Sequence, residues 1–145
     1  MLLKALWLCI TKHFKQKDIS GKRYFWHPIH VALNVKGKEA KIVALLHDII
    51  EDTDVSPSDL LNMGFSSDIV DAIFLLTKIK HEPYKNYIER IKQSKNKLAL
   101  IVKIKDLEHN MNLSRLKNVT QKDLMRFDKY KKARYYLGEE LKNEQ

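Results

Sequence analysis

Cysteine is almost absent from this sequence. Among 145 residues there is one, Cys9. A single thiol cannot form a disulfide within the chain, and a zinc site built from several cysteines is excluded. Proteins without disulfides are typical of reducing compartments, so we expect a cytoplasmic location.

Long hydrophobic runs are absent as well. The apolar start, MLLKALWLCITKHF, is interrupted by Lys4 and has no small-residue cleavage site. It is far shorter than the roughly 20 apolar residues that cross a bilayer. The pattern predicts an amphipathic first helix, and we expect no membrane partner.

Glycine and proline are scarce, with four and three residues, and no segment shows the alternation of a half-buried strand. Apolar residues recur at helical spacing, so we predict an all-α fold, one compact bundle of about seven or eight helices forming a single domain over residues 1–145. Capping residues, prolines and glycines place the helices. They are predicted at Leu2 to Gln16, from Pro28, at Glu39 to Glu51, from Ser56-Pro57 to Gly64, after Ser66 or Ser67, from Pro83, over residues 96–111, and from Thr120 and Asp123 to about Leu141.

Acidic residues are outnumbered, 18 against 27 lysines and arginines, which gives a net charge of +9. The basic residues are spread along the chain. Such a balance favours an anionic partner, either a phosphorylated small molecule or a nucleic acid. The alternative is that the lysines cover solvated helix faces and bind nothing.

One histidine and three carboxylates interrupt the most apolar part of the sequence, in VALLHDIIEDT. His47 and Glu51 are four residues apart and share one face of the predicted helix, with Asp48 and Asp52 on the adjacent face. Burying such groups costs several kcal/mol each unless their charge is compensated. A divalent cation provides that compensation, because it binds neutral imidazole and carboxylate together.

Two further candidate ligands lie on other predicted helices. His27 precedes Pro28 at a helix start, and Asp106 shares a stripe of an apolar helix with Lys103 and Asn110. Ligands from three helices would form a mixed nitrogen and oxygen site. Such a site suits Mn²⁺, Fe²⁺ or Zn²⁺ and leaves positions open for water and substrate.

Three motifs together resemble a known family. HPIHVA, ALLHDIIEDT and VKIKDLEHNM are similar to the HD-domain metal-dependent phosphohydrolases, and most like the hydrolase domain of Rel/SpoT-type enzymes and their small single-domain relatives. These remove the 3′-pyrophosphate of (p)ppGpp, giving GDP or GTP and pyrophosphate. The resemblance covers nearly the whole chain. It implies that an anionic nucleotide is the substrate and that a nucleic acid is not.

The resemblance also assigns residues. It implies metal binding by His27, His47, Asp48 and Asp106, with Mn²⁺ as the most typical ion and Fe²⁺, Zn²⁺ or Mg²⁺ as alternatives. Glu51 and Asp52 would be the catalytic acidic pair. Further substrate contacts are expected from Lys22, Arg23, Tyr24, Lys103 and Asn110. Asn110 would contact the sugar, whereas Lys103 would either meet a phosphate or orient the metal ligands.

The sequence departs from the family pattern in the loop before the first histidine. Asp18 and Ile19 occupy the place of an Arg-Lys pair that handles base and phosphates, and Arg23 replaces a proline. Lys105 replaces a small residue before Asp106. We therefore expect Lys22 and Arg23 to supply the missing phosphate contacts.

The altered loop leaves two other functions open. One is the same chemistry on another nucleotide, namely a nucleoside monophosphate, a cyclic nucleotide or the 2′-phosphate of NADPH. The other is a non-catalytic nucleotide- or nucleic-acid-binding module with a structural metal. Glu51 and Asp52 argue against the second, since a binder does not require them. A chain of this length leaves no room for a synthetase domain, so we expect hydrolysis alone.

Overall fold

Helices form nearly all of the regular structure in the computed structural model, which describes residues 1–143. The prediction of an all-α fold is confirmed. Over the described residues a 3₁₀ turn, Leu113–Arg115, accompanies nine α-helices: α1 (Leu2–Lys12), α2 (Trp26–Leu33), α3 (Lys38–Leu46), α4 (Ile49–Asp52), α5 (Pro57–Asn62), α6 (Ser67–Leu75), α7 (Tyr84–Ser94), α8 (Lys97–Asn110) and α9 (Gln121–Asn143).

Helices α3 and α8 form the centre of the bundle. Helix α3 packs against α1, α2, α6 and α8, and α8 also packs against α2, α6, α7 and α9. Six of the nine α3 residues are buried, as are six of the fourteen in α8. Burial around the circumference of α3 matches its nearly continuous apolar sequence. The turn that follows α3 and the buried face of α8 therefore lie inside the protein.

Helix caps occur where the sequence predicts them. Ser56 and Asp59 form a reciprocal capping box at the start of α5, and the Ser66 hydroxyl accepts from the Ile69 N–H at α6. Thr120 and Asp123 form the corresponding pair before α9, with Asp123 Oδ2 accepting from the Thr120 N–H at 2.8 Å. Each cap satisfies backbone N–H groups that the helix leaves unpaired.

The predicted helix from Glu39 to Glu51 is wrong, because the structure divides it into α3 and α4. Asp48, with φ −104° and ψ 1°, turns the chain between them. The imidazole of His47 takes part in the break, since its Nδ1 lies 2.6 Å from the Ala44 carbonyl oxygen. The first helix is also shorter than predicted, ending at Lys12 instead of Gln16.

The segment between α1 and α2 is closed by its own backbone. A single β-bridge joins Lys17 to Arg23, and Asp18 accepts three hydrogen bonds within it. This fixes the loop that lies beside the site described below. Over residues 1–143, no helix has both the length and the hydropathy that crossing a bilayer requires.

Candidate metal centre

Four side chains from separate parts of the chain converge at the centre of the bundle. His27 Nε2 lies 2.7 Å from Asp106 Oδ1. His47 Nε2 lies 3.1 Å from Asp48 Oδ2 and 3.3 Å from Asp106 Oδ1. His27, His47 and Asp48 each offer a ligand atom within 4.8 Å of the others. The predicted set is thus brought together from α2, the turn between α3 and α4, and α8.

His47 provides the test of whether this set fits a metal ion. Its Nδ1 lies against the Ala44 carbonyl oxygen, whereas its buried Nε2 makes no hydrogen bond of good geometry with any residue from 1 to 143. Burial lowers the pKa of His47, but the carboxylates of Asp48 and Asp106 raise it well above its usual value. Positive charge is therefore favoured at Nε2. The two imidazoles and two carboxylates that converge here fit a divalent cation.

Contacts through His109 to Arg115 determine that Nδ1 of His27 carries a proton. Its Nδ1 lies 2.6 Å from Nδ1 of His109, and an Arg115 Nη1 lies 3.3 Å from the same His109 atom. Burial, together with the charges of His27 and Arg115, lowers the pKa of His109 to about 3. His109 is therefore neutral, and its Nδ1 accepts from both neighbours because Arg115 can only donate. His27 then carries a proton on Nδ1, and this contact orients the ring so that Nε2, 2.7 Å from Asp106 Oδ1, faces the site.

Asp106 is oriented from two sides. Lys103 Nζ donates to its Oδ2 at 2.8 Å, and Asn110 Nδ2 donates to its Oδ1 at 3.1 Å. Burial raises the pKa of Asp106, but Lys103 and His47 hold it well below its usual range. Lys103 thus contacts a predicted metal ligand, the second of the two roles left open for it.

Asp48 has a hydrogen-bond partner of its own, since the Tyr24 hydroxyl donates to its Oδ2. Burial and the Asp48 carboxylate together raise the pKa of Tyr24 far above its usual value. The phenol therefore stays protonated and remains a donor. Tyr24 was predicted as a substrate contact, and the structure places it between Asp48 and the neighbouring cavity.

The two acidic residues of α4 lie beside Asp48. Glu51 Oε1 accepts from the Lys78 N–H at 2.7 Å, and Asp52 Oδ2 accepts from Gln16 Nε2 at 3.1 Å. Burial raises the pKa of both carboxyls, and the Asp48 charge raises each further. Because the helix is interrupted, the shared helix face that was predicted for His47 and Glu51 does not exist. The roles assigned to this pair stay predictions.

A cavity of about 250 Å³ opens beside the cluster. Tyr24, His27 and Asn110 belong both to the site and to the cavity wall, and three basic residues lie on the wall as well. The described lining residues are Gln16, Lys17, Asp18, Ile19, Tyr24, His27, Asn110, Asn112, Arg115, Leu116, Arg126 and Tyr130. Its position and positive charge suit an anionic ligand whose reacting end reaches the metal site.

Lys22 and Arg23 do not line this cavity. Arg23 Nη1 donates to the Phe14 carbonyl oxygen at 2.6 Å, and its guanidinium lies 4.5 Å from the centre of the Phe14 ring. These contacts hold Arg23 against the end of α1. The predicted phosphate contacts of both residues stay predictions, and the cavity geometry does not support them.

Sequence reasoning missed the contribution of Gln16 and Arg115. Gln16 joins His13 to Asp52, with its Oε1 2.8 Å from His13 Nδ1. Arg115 joins His109 to Asp18, 97 residues away in the chain. Arg115 lies in the segment NLSRL after α8, where no local pattern indicates which residue it contacts.

Comparisons with known proteins give the chain its family. No protein-family model matches it. A probable guanosine-3′,5′-bis(diphosphate) 3′-pyrophosphohydrolase of Mycoplasma pneumoniae is 30% identical over 142 residues, covering 90% of this chain and 19% of that protein. A guanosine-3′,5′-bis(diphosphate) 3′-pyrophosphohydrolase of Borreliella burgdorferi is 32% identical over 123 residues, covering 76% of this chain and 18% of that protein. The GTP pyrophosphokinase rsh of Brucella abortus is 36% identical over 124 residues, covering 77% and 16%.

The chain therefore spans less than one fifth of the length of these relatives. A solved structure shows the same fold over almost the whole chain. It is that of a metazoan ortholog of SpoT that hydrolyzes ppGpp, with a TM-score of 0.74, 23% identity, and coverage of 97% of this chain and 84% of that one. With its motifs, its helical architecture and these relatives, the chain belongs to the Rel/SpoT-type branch of the HD-domain phosphohydrolase family.

Proposed function

We propose that this protein is a metal-dependent phosphohydrolase that removes the 3′-pyrophosphate of (p)ppGpp, giving GDP or GTP and pyrophosphate. One observation carries the proposal. Among the described residues, the buried His47 Nε2 makes no hydrogen bond of good geometry, and it lies between the carboxylates of Asp48 and Asp106, next to a basic cavity. The named activity of the Mycoplasma and Borreliella relatives supports the choice of substrate.

His27, His47, Asp48 and Asp106 would hold the ion. Their mixture of imidazole nitrogen and carboxylate oxygen suits Mn²⁺, Fe²⁺ or Zn²⁺, and we propose Mn²⁺ because the family resemblance implies it. When bound, a divalent ion promotes ionisation of water at neutral pH and offsets negative charge on phosphoryl oxygens. This chain contributes the positions of its ligands: Lys103 and Asn110 hold Asp106, Tyr24 holds Asp48, and His109 holds His27.

Glu51 and Asp52 would move the protons. Hydrolysis adds water to the phosphorus attached to the 3′ oxygen, breaks that P–O bond, and places a proton on the departing 3′ oxygen. The raised pKa of Glu51 makes it a stronger proton acceptor than an exposed carboxylate, and the raised pKa of Asp52 helps it to carry a proton. Both shifts bring the pKa of a carboxyl group closer to neutral pH, and general acid–base catalysis is most effective when the pKa lies near the working pH.

Incubating the purified protein with ppGpp and Mn²⁺ is expected to release GDP and pyrophosphate in equal amounts. The products are separated by anion-exchange chromatography, and the same mixture with excess EDTA is the blank. Release of inorganic phosphate without pyrophosphate would contradict the proposed bond cleavage. An absence of turnover with Mn²⁺, Fe²⁺, Zn²⁺ and Mg²⁺ would overturn the proposed function.

A second candidate function keeps this chemistry and changes the nucleotide. The observation that favours it is the Asp18 carboxylate on the cavity wall, since it brings negative charge to a surface that faces an anionic substrate. A panel of nucleoside monophosphates, cyclic nucleotides and NADPH, assayed beside ppGpp, separates the two candidate functions.

We also propose a cytoplasmic location, which the single buried thiol of Cys9 supports.

A further inference from the structure

Arg115 is the most firmly held cation of the cavity wall. It ends the 3₁₀ turn Leu113–Arg115, and its side chain is 22% exposed. Lys17, on the same wall, is exposed. Arg126 is bonded to Asp123 at the start of α9. Of the three basic residues that line the cavity, Arg115 is held by His109 on one side and by Asp18 on the other.

The hydrogen bonds of Arg115 leave part of its guanidinium free. Both contacts to His109, to Nδ1 at 3.3 Å and to the carbonyl oxygen at 3.4 Å, use Nη1. One Nη2 hydrogen goes to Asp18 Oδ2 at 3.1 Å. A guanidinium has five N–H donors. The Nε–H and the second Nη2–H therefore have no protein acceptor among the described residues.

Asp18 serves as the anchor of Arg115. Its Oδ1 accepts from the Ser20 N–H, the Ser20 hydroxyl and the Lys22 N–H, so its position is set by the loop. Its Oδ2 receives Arg115. Burial raises the pKa of Asp18, but these hydrogen bonds and Arg115 lower it below its usual value. The carboxylate is thus ionised and holds the guanidinium in place.

We propose that Arg115 binds the phosphate group that remains attached to the nucleotide after hydrolysis. In ppGpp this group is the 5′-diphosphate. This inference rests on the proposed function and names a determinant of its specificity. The ring of His109 stacks on the candidate ligand His27 and lies between it and Arg115, so an anion bound at Arg115 lies apart from the reacting phosphorus. A planar guanidinium with two free donors suits bidentate contact with phosphate oxygens.

The test measures binding by calorimetry with excess EDTA, so that it does not depend on turnover. Two ligands are compared, ppGpp and guanosine 3′-diphosphate, which lacks the 5′ phosphates. Arg115→Gln is expected to weaken ppGpp binding about tenfold or more, because it removes charge-assisted hydrogen bonds. Binding of guanosine 3′-diphosphate should change by less than about twofold, since only screened long-range charge differs.

Arg134→Gln is the matched control. It removes the same charge from an arginine that pairs with Glu108 on the α8–α9 surface, outside the cavity, and should leave both affinities within about twofold of the wild type. Arg115→Lys keeps the charge, loses the planar group and should give an intermediate loss that is confined to ppGpp. It also keeps the test valid if Arg115→Gln does not fold.

An equal loss for both ligands, or no loss for either, would overturn the role of Arg115, since a residue that only supports the loop or His27 cannot distinguish them. The two proposals fail separately. If the wild type releases no pyrophosphate from ppGpp but Arg115→Gln still weakens ppGpp binding selectively, the proposed hydrolysis is wrong and the phosphate contact stands.

Discussion

Replacing Asp48 by asparagine is expected to reduce Mn²⁺-dependent hydrolysis of ppGpp about a thousandfold or more. A metal ion contributes several kcal/mol of transition-state stabilisation, and each 1.36 kcal/mol corresponds to a factor of about ten. The amide has nearly the same shape as the carboxylate but lacks its negative charge. It also offers an NH₂ group where His47 Nε2 and the Tyr24 hydroxyl meet an anionic oxygen. The measurement is kcat/KM, with bound manganese determined by elemental analysis.

Asp54→Asn is the control for this substitution. Asp54 follows α4 closely in the chain and pairs with Lys12 on the surface, where its side chain is 81% exposed. Its loss should leave activity and manganese content unchanged. Asp48→Asn with wild-type manganese content and activity would show that the ion is held elsewhere.

Replacing Lys103 by methionine is expected to lower the free energy of unfolding of the metal-free protein by about 3 kcal/mol, the lower end of the cost of breaking a buried ion pair. Lys103 Nζ lies 2.8 Å from Asp106 Oδ2, and burial leaves the two side chains 12% and 6% exposed. Burial lowers the pKa of Lys103, but Asp106 raises it well above its usual value, so the pair is ionised. Urea denaturation with EDTA present measures the change.

Lys105→Met, two residues further along α8, is the matched comparison. Lys105 pairs with Glu108, but the two side chains are 38% and 32% exposed. An exposed pair of this kind contributes less than about 1 kcal/mol. If Lys103 served only to bind substrate, its removal would cost little stability in the free protein. Equally small changes in the free energy of unfolding for Lys103→Met and Lys105→Met would therefore contradict the positioning of Asp106 by Lys103.

Local signals were sufficient to place most of the helices. Ser56, Ser66 and Thr120 are caps because a hydroxyl before an apolar helix satisfies free N–H groups, and that depends on neighbours alone. The break at His47 and Asp48 was not predictable in the same way. The sequence across it has continuous helical periodicity, and the interruption coincides with contacts of the His47 side chain to Ala44 and of the Asp48 side chain to Tyr24.

The candidate ligands could be named from the sequence because several ionisable residues sit in apolar segments, and the motifs resemble a family. Their supporting contacts could not. His27 and His109 are 82 residues apart, and Arg115 and Asp18 are 97 apart. No local pattern specifies such pairs, because they depend on the packing of distant parts of the chain, such as α2 against α8. The sequence therefore predicts a phosphate contact at Arg23, which lies close to the motif, and gives no signal for Arg115.

The wide spacing of the ligands has a consequence for protein synthesis. His27 meets Asp106 across 79 positions of the chain, and α8 must pack before the second carboxylate arrives. A nascent polypeptide still holding α8 in the ribosome exit tunnel contains both histidines and Asp48 but not the completed set. The candidate metal site is therefore complete only once α8 has emerged and packed, and a truncated product ending before α8 would lack the Asp106 carboxylate.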